Sequence, residues 1–281
     1  AGVEIVGRDE AAADAVLAEM RERSGSAEGS AAESSGGGPR GSGCRFWQAD
    51  LSTLRGCDEL VSRLGAGGGS ESSQYDLVVF TVGAWPEFGK PLTSEGFPRV
   101  AFLDMLSRFR VLHQMVKHNL LATTAGGGDR ASRQACIVLS VLACGQTNGT
   151  VAKLDAAGRK EFLRENVLRR RTGEEAERYR QPKNVFSTLQ AAGFAHDLWL
   201  CAAARKYPVQ FVGTFPGLVD TGVSAALLGG TVSSVANFFA TKLPGGMVSA
   251  GTAGEQHLVL LREARRRAAG ATGSGEDEAA K

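Results

Sequence analysis

The chain is expected to be an α/β protein built on a doubly wound parallel sheet with helices on both faces. Three observations predict this. Short apolar runs alternate with helical stretches along nearly the whole of the 281 residues. Two runs, 77–82 and 136–143, are almost continuously apolar, as in parallel strands covered on both faces. Each is followed by enough chain for a crossover helix, which parallel pairing requires. Right-handed crossovers place ligands at the carboxyl ends of such strands.

Taken in order, residues 3–6 read as a strand, and 9–23 as a helix with Asp9 as N-cap and Ala13, Val16, Leu17 and Met20 at helical spacing. Thirteen of the twenty residues from Ser24 to Gly43 are Gly or Ser, too little apolar surface to offset chain entropy, so a disordered surface loop is expected. It contains no Lys and follows no strand, so it is not a phosphate loop. A strand at 45–49, a helix at 51–64, a flexible loop at 65–73 and the strand at 77–82 come next. A long amphipathic helix spans 96–121, and the strand at 136–143 follows a loop. The charged segment 155–183, with its Leu168-Arg169-Arg170-Arg171 run, is expected to be a solvated helical insertion rather than a nucleic-acid patch. A helix at 185–206 and a strand at 209–215 close the pattern. One domain over 1–261 is expected, with a disordered tail at 262–281.

Composition narrows the functional classes. Hydrophobic residues make up 43% and charged residues 22% of the chain, and the net charge is +2, leaving no overall field to attract nucleic acid. No apolar run is long enough to span a membrane, and no signal segment is visible, so a cytoplasmic location is expected. Neither the five cysteines nor the four histidines show metal-ligand spacing.

Particular residues then carry a resemblance. Gly7-Arg8 ends the first strand, Ala49-Asp50-Leu51 follows the second, Gly83 closes Val78-Val79-Phe80-Thr81-Val82, and Phe215-Pro216-Gly217-Leu218-Val219-Asp220-Thr221 follows the last. In order and spacing these resemble the short-chain dehydrogenase/reductases, over nearly the whole chain to about Leu261. The resemblance implies a Rossmann-type fold and a nicotinamide cofactor held by Arg8, Asp50, Gly83, Pro216, Gly217, Val219 and Thr221. Arg8 can meet a 2′-phosphate with two donors, which favours NADP over NAD. Each residue also has a plainer reading: Arg8 a solvated surface arginine, Asp50 a cap of the next turn, Gly83 a turn glycine.

The same resemblance exposes departures. The first strand and the Gly-rich pyrophosphate turn are absent. Their loss would leave two neighbouring strands with unpaired backbone groups. The chain opens at Ala1 as if in the middle of a domain, so a gene fragment is one expectation. The family's general acid/base is a Tyr whose pKa is lowered by a Lys one helical turn on. Counting back thirty residues from Pro216 puts these positions at Phe186 and Gln190, neither able to do that work. The Ser position falls near Ser140, equally read as a small core hydroxyl, and the Asn position on the long helix is Asp104. A literal Tyr179/Lys183 pair lies seven residues early, with Pro182 inside it.

Two functions therefore stand open. One is a catalytically degenerate NAD(P)(H)-dependent oxidoreductase acting on a small-molecule carbonyl or alcohol. The other is a non-catalytic nucleotide- or partner-binding pseudoenzyme. The segment 224–243, with Phe238 and Phe239, is expected to form an apolar substrate lid. The apolar faces of the two long helices (Val100, Leu103, Leu106, Val111, Met115; Leu189, Phe194, Leu198) imply a homodimer or homotetramer by resemblance, or core packing within one chain.

Overall fold

Why the strands form is clear from their composition: each is a short run of β-branched or aromatic residues whose backbone groups are satisfied only by a neighbouring strand. The computed structural model describes residues 2–23, 44–66, 74–84, 91–123, 135–142, 153–179, 185–215, 218–220 and 247–271. Among these, β1 (Val3–Gly7) pairs parallel with β2 (Cys44–Gln48), with Gly7 opposite Gln48. A second ladder runs β3 (Leu77–Phe80), β4 (Ile137–Val141), β5 (Gln210–Thr214), again parallel. A short parallel pair joins β6 (Leu218–Asp220) to β7 (Met247–Ser249).

Helices connect them. Helix α1 (Glu10–Arg23) starts where Asp9 accepts the Ala12 N–H at 3.0 Å, and α2 (Leu54–Ala66) where Thr53 Oγ1 accepts the Gly56 N–H at 2.9 Å. Helix α3 is composite: Arg99–Ala101, a π-helical turn over Phe102–Leu106, and Ser107–Lys117. It begins three residues later than the sequence predicts because Gly96 has φ 84° and Pro98 is extended at the N-cap. Helix α6 (Val185–Lys206) leads into β5, and α7 (Ala250–Ala271) lies against β4 and β5. The core gathers Leu60 and Val61 of α2, Val111 and Leu112 of α3, Phe80, Val138 and Trp199.

Three sequence expectations change. The insertion is helical, as α4 (Ala156–Leu163, then a π turn Arg164–Leu168) and α5 (Gly173–Arg178), but it is not merely solvated. Val167 and Arg171 are buried, and the Arg171 N–H donates to the Gly96 carbonyl at 2.8 Å, clasping the insertion to the loop before α3. The tail boundary at 261 also falls inside a helix. Residues 262–271 continue α7, supported by Glu263 pairing with Arg266 and Arg267 one turn on. Third, β3 is covered on one face only: Val78 and Phe80 turn inward, while Leu77 and Val79 are 36% and 46% exposed. Of the two readings of the long-helix face, the burial of Val100, Leu103, Val111 and Met115 within the chain is that of core packing. Leu198 of α6 is exposed beside that layer, as is Phe109.

Among the described residues, no backbone hydrogen bond joins the β1–β2 ladder to the β3–β4–β5 ladder. A side chain ties them instead: Glu4 of β1, which accepts from Trp47 Nε1 of its own ladder at 3.1 Å, also accepts from the Tyr75 hydroxyl just before β3. Exposed Val3 and Val6 on β1, with Leu77 and Val79 on β3, mark the part of the sheet left uncovered.

Candidate functional site

Parallel strands diverge past their last ladder pair, and their terminal carbonyls must then find other donors. For β3 and β4 that last pair is Phe80 with Ser140. The donor beyond it is Arg108 of α3, 1% exposed and the largest fully buried side chain among the described residues. Its Nε donates to the Val82 carbonyl at 3.0 Å, and Nη2 reaches the same oxygen. Nη1 donates to Ser140 Oγ at 2.8 Å and to the Val141 carbonyl at 3.0 Å. Ser140 Oγ in turn lies 2.6 Å from Nε2 of His196 on α6.

One turn before Arg108, Asp104 sits on the π-helical segment, 1% exposed, and its Oδ1 accepts the Ala84 N–H at 2.9 Å. π-turns often mark functional positions because they re-aim one side chain out of helical register. Gly83 is required here: a Cβ at that position would come within 2.9 Å of Asp104 Oδ1. Burial pushes the Asp104 carboxyl up to about 7, against the opposing pull of the Ala84 N–H and the Arg108 charge. His196 is held down at about 3, first by burial and then by Arg108, so the imidazole is neutral at ordinary pH.

The sequence-derived candidates fall into three groups. Asp104 and Ser140 come together around Arg108, with Gly83 against Asp104. Ser140 is 0% exposed and turned into the core, as the core-hydroxyl reading holds, but its partners are Arg108 and His196 side chains. At the other ladder, Arg8 follows β1 as an exposed residue whose side chain has no hydrogen bond or ion pair to another described residue, while its carbonyl accepts from Gln48 Nε2 at 3.2 Å. Asp50 follows β2, where Oδ1 accepts the Ser52 N–H at 3.0 Å and Oδ2 its hydroxyl at 2.9 Å, the turn-capping role. An open groove of about 680 Å³ runs from Asp50 along α2, lined by Gln48, Ala49, Thr53, Gly56 and Arg63. Phe186 and Gln190 lie in the first turns of α6 and Val219 on β6. Pro216, Gly217, Thr221, Lys183 and the 224–243 segment lie outside the described residues.

Tyr179 does not open α6. It closes α5 in extended conformation (φ −66°, ψ 125°), its ring 4.2 Å beneath the Arg171 guanidinium, and burial raises its pKa, the wrong direction for a general base. Arg108 and His196 were missed in the sequence because both lie in ordinary helical runs.

No protein-family model matches the sequence, and no curated protein matches it. Solved structures do match in shape. A 3-oxoacyl (acyl-carrier-protein) reductase from Agrobacterium tumefaciens, with NADP bound, superposes with a TM-score of 0.53 at 16% identity, covering 90% of this chain and 76% of its own. The actinorhodin polyketide ketoreductase with NADPH gives 0.52 at 13%, covering 92% and 79%. The MalC reductase/Diels-Alderase of Malbranchea aurantiaca gives 0.51 at 12%, covering 94% and 82%. The fold is that of the short-chain dehydrogenase/reductases. Within this fold the Arg108 cluster stands at the carboxyl ends of β3 and β4, and Arg8 and Asp50 at those of β1 and β2. Among the described residues no helix is long and apolar enough to cross a membrane.

Proposed function

We propose that the protein binds NADP(H) along the carboxyl edge of its strands and descends from oxidoreductases acting on carbonyl or alcohol substrates, with the proton-transfer machinery degenerate. The observation that carries the nucleotide reading is Arg8: an exposed guanidinium, uncommitted to any described residue, one position past Gly7, where β1 ends, with Asp50 two positions past the Gln48 end of β2. These residues fit the adenosine end of the cofactor. Arg8 would meet a 2′-phosphate with paired charge-assisted bonds, and the groove beside Asp50 would take the base. Gly83, Pro216, Gly217, Val219 and Thr221 would line the path toward the nicotinamide. A bound nicotinamide supplies hydride chemistry; the chain's part is to bind and orient it.

Degeneracy is supported by residue types and by burial. Phe186 and Gln190 have no proton to transfer and no charge to lower a neighbour's pKa. Ser140 is enclosed by Arg108 and His196, so its hydroxyl cannot touch a substrate without opening the core. The same facts favour the second reading, a nucleotide-binding module without turnover. A cytoplasmic location and a homodimer or homotetramer accompany the proposal as expectations, with Leu198 of the expected faces exposed.

The deciding experiment is titration with NADPH and NADH, read by tryptophan fluorescence. Trp47 is a local reporter, its ring beneath Arg63 of the groove (5.9 Å). Saturable NADPH binding that weakens about tenfold or more in Arg8→Ala, with NADH little affected, is expected, since one bidentate charged contact is worth about 1.5–3 kcal/mol. No saturable binding of either nucleotide would end the nucleotide reading. If binding holds, Phe186→Tyr/Gln190→Lys separates the two functions: restored carbonyl reduction supports the degenerate oxidoreductase, and unchanged silence the binding module.

A further inference from the structure

We propose that Arg108 is a positioning residue, whose guanidinium staples the diverging ends of β3 and β4 and so fixes the spacing of the crevice between them. Its consequence for ligand rests on the nucleotide reading above; the staple itself does not.

The geometry is specific to a planar fork. Val82 lies two residues past the last β3 ladder residue and Val141 one past its β4 counterpart. Their carbonyls, 26 and 33 residues from Arg108 in sequence, are taken by opposite sides of one guanidinium. Ser140 Oγ takes a further donor and passes the contact to His196, so α6 is tied to the same point. A lysine ammonium has three donors on one atom and cannot span both carbonyls and the hydroxyl at once. Around the staple, the Ala84 N–H is held by Asp104, and the Leu142 N–H donates to the Thr214 carbonyl at 3.0 Å. Both strand-end turns are therefore fixed by side chains of one helix and by the neighbouring strand. A charge so deeply buried is costly unless its donors are used. Here four hydrogen bonds are spent on backbone and hydroxyl acceptors at the strand ends, where a ligand in this sheet topology would lie.

The test compares wild type with Arg108→Lys, Arg108→Met and Ser140→Ala by amide hydrogen exchange and by NADPH titration. In Arg108→Lys, exchange at Ala84 and at Leu142 should both rise at least tenfold, while Leu139 inside the ladder stays within about twofold. NADPH affinity, measured well below the lowered melting temperature expected of this variant, should fall about tenfold. Ser140→Ala, which leaves both carbonyl contacts, should show near-wild-type exchange at Ala84. If Arg108→Met does not fold, the lysine and alanine variants decide alone. Unchanged exchange at both turns in Arg108→Lys, or loosening of one turn only, overturns the staple. Wild type that binds no nucleotide ends the functional reading instead, and the exchange pattern still decides the staple.

Discussion

Asp104→Asn should stabilise the protein by several kcal/mol at pH 8 and leave it nearly unchanged at pH 4. The carboxyl is buried, capped by the Ala84 N–H and faced by Arg108, and burial raises it from an ordinary 3.8 to about 7. Between those values the folded protein holds a proton that the unfolded chain releases. Stability therefore falls as pH rises from about 4 to about 7 and is level above. At about 1.4 kcal/mol per pH unit, the full cost is roughly 4 kcal/mol. Asparagine keeps an acceptor for Ala84 and carries no charge, so it removes this cost.

His196 slopes the other way. Its imidazole is lowered from 6.5 to about 3, so the unfolded chain takes up a proton that the folded protein refuses. Stability from this group is complete above about 6.5 and declines as pH falls toward 3. In wild type the two slopes oppose between about pH 4 and 6.5. In Asp104→Asn the histidine slope is no longer opposed by Asp104, and its contribution should drop by about 3 kcal/mol from pH 6.5 to 4. Urea midpoints of both proteins at pH 4, 6 and 8 check this. An equal difference between the two at pH 4 and pH 8 would show that Asp104 does not titrate in this window.

Gly96→Ala should cost about 3 kcal/mol or more, against about 1 kcal/mol for Gly173→Ala. Both glycines have positive φ, 84° and 53°, so both substitutions carry the left-handed penalty. Only Gly96 adds a collision: its Cβ would stand 2.0 Å from the Arg171 carbonyl, whereas nothing lies within 4 Å at Gly173. Relieving the collision means breaking the Arg171 N–H to Gly96 clasp and the Arg170 Nε bond to the Glu95 carbonyl at 2.6 Å. It would also disturb the Glu95 carboxylate that caps the Leu54 N–H of α2 at 2.8 Å. Thermal melting measures the cost, and trypsin should cut the Arg169-Arg170-Arg171 run faster in Gly96→Ala only. Equal melting of the two variants would mean that the insertion yields without resistance.

Several features were legible before any coordinates. The parallel strands at 77–82, 136–143 and 209–215 lie within two residues of β3, β4 and β5, because a short run rich in β-branched and apolar residues announces a strand without distant information. Asp9 as a cap and Asp50 as a turn residue followed from local side-chain chemistry.

What local pattern leaves undetermined is which distant groups meet. Arg108 falls on a helix whose periodicity says nothing of its burial; it is interior because the carbonyls of Val82 and Val141 converge on it from two strands. Ser140 could be assigned a strand but not a partner, which arrives from His196, 56 residues on. The open face of β3 is invisible in an apolar run, because exposure depends on whether another element covers it. The sequence by itself determined the α/β class and the strand positions, set by residue type and short-range periodicity. Only the tertiary structure decided the charged cluster at the strand ends and the clasp at Gly96, since both arise from contacts between segments far apart in the chain.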